Sequence, residues 1–183
     1  MTRTRVSAFI LDAIQGGDGR TGTICANEQL GFTPYVLTVA KPMAGGLPMG
    51  AILATQAIGQ TLQPGDHGTT FGGGPFVSSV ALHVFDRLSD PGLLASVSIN
   101  GAWLGEALQQ LAAASPKIRA VRGIGYMWGI DVVDPAKDIV ARSLDLGLLI
   151  CSAGDHTLRL LPPLVMERAE LERGVKLLSE AIG

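Results

Sequence analysis

The sequence predicts an α/β fold laid out as two successive units, and three observations carry that reading. Short apolar, β-branched runs alternate with Gly/Pro-rich loops over residues 6–55. Helical apolar periods then fill most of residues 76–114. After Ser115-Pro116, strand-like and helix-like segments alternate a second time.

Taken in order, Phe9-Ile10-Leu11 is a short apolar run that ends in Asp12. Tyr35-Val36-Leu37-Thr38-Val39-Ala40 reads as a strand ending at Lys41, and Ala51-Ile52-Leu53-Ala54-Thr55 as a third strand across a Gly/Pro loop. Residues 56–75 are polar and Gly-rich, with His67 and the run Gly72-Gly73-Gly74. Phe76 to Leu88 has a helical period. A second helix runs from about Leu93 to Ala114, opened by Asp90-Pro91, with Val97, Leu104, Leu108 and Leu111 on one face. In the second unit, Met127–Val133 reads as a strand and Pro135–Leu146 as a helix stopped by Gly147. Leu148–Cys151 and Leu158–Leu161 read as strands, and Glu167–Ile182 as a closing amphipathic helix. The glycine runs fit neither a P-loop nor a dinucleotide fingerprint, because no G-x-G-x-x-G opens a helix after a strand.

At 183 residues the chain has room for one domain or a domain and a half. It is 47% hydrophobic with 16% charged residues, and its mean hydropathy is +0.34. Such a composition suits apolar faces that await a partner or, equally, a compact protein with buried parallel strands. A net charge of -2 carries no footprint for nucleic acid or an anionic membrane. Cys25 and Cys151 show no metal-ligand or disulfide spacing and are expected as buried thiols in a reducing compartment. Met1-Thr2-Arg3-Thr4-Arg5 leads into an apolar stretch too short for a signal-peptide core or a membrane span, so a cytoplasmic location is expected.

The chemistry centres on Lys41 and Asp12. Two neighbouring strands ending in an amine and a carboxylate would deliver both to one sheet edge, and the carboxyl ends of strands are where ligands bind in open α/β sheets. A lysine nucleophile with an acidic partner is the minimum equipment for Schiff-base chemistry. By itself the pair is weak, since strand-end lysines are mostly solvated charges. Arg159 is a second conspicuous residue, an isolated charge in an apolar strand whose planar fork suits a carboxylate; a structural ion pair is the alternative.

Five separated segments, in order, resemble the class III aminotransferases that depend on pyridoxal 5'-phosphate (PLP), and within them the acetylornithine/ornithine aminotransferases. They are Phe9–Gln15 with Gly19-Arg20-Thr21-Gly22, Leu37–Lys41 with Gly45–Ala51, His67–Gly73, Val121–Gly129, and Leu158–Leu164. The resemblance implies a partial PLP-transferase fold of type I, with residues 1–96 a remnant of the PLP-binding large domain and residues 97–183 a C-terminal small domain. The match begins in the middle of the family pattern and so implies only the C-terminal half of such an enzyme. The family's phosphate-cradling loop and the aromatic that stacks on the cofactor ring belong to the other half.

Residue by residue, the resemblance makes Lys41 the Schiff-base lysine and Asp12 the carboxylate that keeps the cofactor's ring nitrogen protonated. Gln15 matches the glutamine beside the ring hydroxyl. Thr70 matches the threonine that reaches the cofactor phosphate from a neighbouring subunit, with Thr69 as the adjacent candidate, which implies a homodimer. Arg159 matches the residue that holds a substrate carboxylate. Arg20 and Arg122 read as loop-structuring groups, and no metal is implied. The sequence departs from the family at Ala13, where an acid is usual, in the loop Gly16-Gly17-Asp18, and at Gly74, where an asparagine is usual. The implied reaction moves an amino group from an ω-amino donor to 2-oxoglutarate. The alternative is an inactive remnant, or one half of a split enzyme that works through a partner chain.

Overall fold

The computed structural model describes residues 10–12 and 17–183. They form two units: one runs from residue 10 to Asp90 without Arg20–Gly22, and the other joins Arg20–Gly22 to Pro91–Gly183.

The first unit holds β1 (Ile10–Asp12), α1 (Asn27–Leu30), β2 (Val36–Val39), β3 (Ala51–Ala54), α2 (Gln56–Gly59) and α3 (Pro75–Leu88), with a 3-10 turn over Lys41–Ala44. Its sheet has the order β1-β2-β3. β1 and β2 run parallel, pairing Ile10 with Val36 and Asp12 with Thr38. β3 returns antiparallel, pairing Val39 with Ala51. Val36 and Val39 favour the extended backbone, while Gly74 and Pro75 start α3 with an extended residue followed by a ring that lacks an N–H. Leu37, Ala44 and Ala81 are buried, yet Ile52, Phe71 and Phe76 are 72%, 88% and 74% exposed. Large apolar side chains thus remain on the surface of this unit, as on a face that awaits a partner.

The second unit holds α4 (Pro91–Ala114), β4 (Ile118–Ile124), β5 (Met127–Val132), α5 (Ala136–Asp145), β6 (Cys151–Ser152), β7 (Thr157–Leu160) and α6 (Arg168–Ile182). Its sheet has the order β4-β5-β7-β6, every pairing antiparallel. Ile130 and Val132 of β5, with Leu158 of β7, point to one face. There they pack with Val97, Leu104 and Leu108 of α4, Ile139 of α5, and Leu171 and Leu178 of α6. Glu167 and Glu170 close a reciprocal capping box at the start of α6. Among the described residues no helix is long and apolar enough to cross a membrane.

Several elements differ from the sequence expectation. β4 was not expected as a strand, because Arg119, Arg122 and Gly123 interrupt its apolar pattern; all three are exposed in an edge strand. The expected strand Leu148–Cys151 pairs only through Cys151–Ser152, while Leu148 and Ile150 pack on the core from irregular backbone. The short helices α1 and α2 carry too little pattern to be read. Cys151 is exposed rather than buried, and Cys25 is half-buried. Only the β1–β2 pairing is parallel among the described strands.

Candidate active site

The parallel register of β1 and β2 brings the two central residues to one edge. Asp12 closes β1 opposite Thr38, and Lys41 follows two residues after β2 ends at Val39. Both strands point their C-terminal ends the same way, so a carboxylate-bearing and an amine-bearing residue leave neighbouring strands at the same lip. Lys41 is exposed and has a φ of 57°, in the left-handed region. Pro42 follows it, and the Gly45 N–H donates to the Pro42 carbonyl at 3.0 Å to close the turn. Gln15 and Ala13 lie outside the described residues.

The loop after β1 is drawn together by the Gly19 N–H donating to the Ile24 carbonyl at 3.3 Å and by a bridge between Gly17 and Cys25. Asp18 stands in it with a φ of 57°. One of its carboxylate oxygens is buried without a hydrogen-bond partner, and burial pushes its carboxyl above the ordinary range. Burial also raises the Cys25 thiol, helped by the nearby charges of Glu28 and Asp18.

Thr70 sits in the exposed segment between α2 and α3. Its neighbour Thr69 accepts the Gly72 N–H at 3.1 Å through Oγ1. A β-carbon at Gly72 would lie 2.4 Å from the Thr69 Cγ2, so Thr69 serves the turn.

Arg159 lies in β7 on the face opposite the core, across from Gly129 of β5 and Cys151 of β6. Its guanidinium donates to the Cys151 Sγ at 3.8 Å. Arg159 and Glu170 are the charged residues in the wall of an otherwise apolar cavity of about 300 Å³, whose lining includes Leu148, Ile150, Leu161 and Met166. The thiol beside Arg159 was missed in the sequence, because an antiparallel register between two short strands leaves no sequence signal. On the same face Arg122 pairs with Asp131, which also accepts the Thr157 hydroxyl at 2.6 Å; both donors hold the Asp131 carboxyl below its ordinary range. Arg20 is loop-structuring, since it donates to the Pro162 carbonyl at 2.9 Å while its own carbonyl accepts the Tyr126 N–H at 2.8 Å.

The family profile described as "Aminotransferase class-III" matches residues 1–182. The chain belongs to the class III aminotransferase family. The family depends on PLP. A mitochondrial acetylornithine aminotransferase of Alnus glutinosa is 41% identical over 175 residues, which are 95% of this chain and 39% of that protein. The acetylornithine aminotransferase of Bacillus subtilis is 37% identical over 180 residues, 98% of this chain and 46% of the relative. Among solved structures, an ornithine aminotransferase from Plasmodium yoelii superposes with a TM-score of 0.90 at 28% identity, covering 96% of this chain and 47% of the other. The N-acetylornithine aminotransferase from Stenotrophomonas maltophilia superposes with a TM-score of 0.83 at 32% identity, over 96% and 46% of the two chains. The chain therefore spans less than half the length of these relatives.

The donor set at the lip fits the family's cofactor in kind. A residue that bears a primary amine and one that bears a carboxylate follow or close adjacent parallel strands at the same end.

Proposed function

We propose that this chain supplies the lysine-bearing part of a PLP-dependent aminotransferase of acetylornithine/ornithine type, which moves an amino group from an ω-amino donor to 2-oxoglutarate. The observation that carries the reading is the parallel pairing that ends β1 at Asp12 beside the strand leading to Lys41. When bound, PLP supplies a carbonyl carbon for capturing amines and a ring that takes up an electron pair.

Lys41 would hold the cofactor through its amine and, once displaced, carry the proton taken from the substrate carbon that bears the amino group. The Asp12 carboxylate would keep a proton on the ring nitrogen. Gln15 would stand by the ring hydroxyl, and Thr70 would reach the phosphate of a neighbouring subunit, making a homodimer. Arg159 would pair with a carboxylate of the substrate, its guanidinium fork presented from a rigid strand. Further contacts to the cofactor would come from the part of the family's length that lies outside these residues, whether on the same polypeptide or on a partner chain. The large-domain role falls to residues 1–96, the small-domain role to residues 97–183, and the setting is cytoplasmic.

One observation favours a second reading, an inactive remnant or half of a split enzyme. Asp18 puts a carboxylate with one buried, unpartnered oxygen and a left-handed backbone into the loop after Asp12, where a preorganised site needs a settled loop. The test is to add PLP to the purified chain, record its absorbance spectrum, reduce with borohydride and map the labelled peptide. A visible band that shifts with an amino donor, with label on Lys41, supports the first reading. Label scattered over Lys117, Lys137 and Lys176 would leave only the remnant.

A further inference from the structure

We infer that the turn after Lys41 is a positioning device: Ala44, packed against α3, holds the backbone of Lys41 in a strained left-handed conformation that sets where its amine starts. This rests on the proposed role of Lys41. Among the described residues only Asp18 and Lys41 combine a side chain with a positive φ; every other such position is glycine. The strain at Lys41 is compounded by its neighbour, because a residue before proline is driven toward negative φ by the ring's Cδ.

The chain on either side explains why Lys41 does not relax. Upstream, β2 is paired on both edges, to β1 through Thr38 and to β3 through Val39. Downstream, Ala44 is 1% exposed, and the turn is closed by the Gly45 and Leu47 N–H groups donating to Pro42 and Ala44 carbonyls at 3.0 and 3.1 Å. α3 bears directly on it, since a β-carbon at Gly45 would lie 3.3 Å from the Val84 Cγ2. Lys41 is the joint between two anchored pieces, and the misfit collects there. A glycine would remove the strain, as it does at Gly45 and Gly46. Keeping a side chain at such a joint is the mark of a position whose side chain is used. Ala44 and Val84 are then positioning residues, acting through the backbone of Lys41.

Two measurements on the full chain test this. The first compares the melting of Lys41→Gly with that of Lys41→Ala. Both delete the amine, but only glycine relieves the left-handed strain, so Lys41→Gly should melt about 2–4 °C higher. Equal or reversed melting overturns the strain. The second measures PLP–borohydride labelling of Lys41 relative to Lys137 and Lys176 in the same sample, across pH. Ala44→Val pushes the turn off α3 and should lower the Lys41 ratio at least about fivefold. Should that variant fail to fold, Val84→Ala removes the abutment from the other side. An unchanged ratio in whichever variants fold overturns the positioning role. Wild-type chain that takes no label at Lys41 sinks the proposed function and the positioning role together, while the melting comparison still decides the strain.

Discussion

Gly101 marks where α4 meets the tip of the β4–β5 hairpin, and replacing it with alanine should loosen the second unit. A β-carbon there would lie 2.5 Å from the Gly125 Cα and 2.7 Å from its carbonyl carbon and oxygen. Carbon atoms rest about 3.5–4.0 Å apart, so helix and hairpin must separate by about 1 Å. The hairpin has nowhere to retreat. Gly125 has a φ of 54°, and a β-carbon on it would lie 2.6 Å from the Arg20 carbonyl, which itself accepts the Tyr126 N–H. Overpacking against such backbone costs about 1–3 kcal/mol, sometimes more, and the helix preference of alanine over glycine returns about 1 kcal/mol. A net loss of about 1 kcal/mol corresponds to a melting temperature lowered by about 2–4 °C. Gly174→Ala in α6 is the opposite case, because the nearest atom to its new methyl is a flexible Leu148 Cδ1 at 3.9 Å. That variant should gain about 0.5–1 kcal/mol. Thermal and urea unfolding followed by circular dichroism checks both. The packing account is refuted if Gly101→Ala is as stable as wild type, or if both substitutions destabilise alike.

Two more outcomes follow from buried polar groups. Burial raises the Asp18 carboxyl, so the folded chain binds that proton more tightly than the unfolded one; its contribution to stability is present below the unfolded value and lost as pH rises through the raised one. Asp18→Asn, which keeps tolerance of the left-handed backbone, should melt above wild type at pH 7 by the equivalent of about 0.5–1 kcal/mol after discounting for partial exposure, with the gap closing toward pH 3; a gap independent of pH would contradict this. Arg168 stacks on the Trp103 ring at 4.5 Å and gives two hydrogen bonds to the Asn100 Oδ1 at 3.1 and 2.9 Å. Arg168→Ala should cost about 1–3 kcal/mol and shift tryptophan emission to the red, whereas unchanged emission would show that the stack does not form in solution.

The α/β class, the order of the long elements and the family were legible because the signals are local. α3, α4, α5 and α6 repeat apolar residues at the helical period over ten or more residues, and propensity summed over such lengths outweighs any single exception. The spacing of Gly101 and Gly105 in α4 could have announced a close crossing, for a helix with two glycines one turn apart invites backbone contact. β4 escaped notice because an edge strand with one exposed face can carry arginines and still pair.

What the sequence determined by itself is an inventory: an amine after one β-branched run, a carboxylate after another, an arginine in a third, and the turn chemistry that ends each. Tertiary structure decided which of these meet. The parallel pairing that sets Asp12 beside the Lys41 strand, the strain gathered at Lys41 between a paired strand and a turn seated on α3, the thiol facing Arg159, and the carboxylate of Asp18 stranded in its loop all depend on contacts between residues far apart in the chain. Hydrophobic periodicity tells a segment which face to bury, but not which partner strand it finds or in what register. Those are set by the packing of the whole.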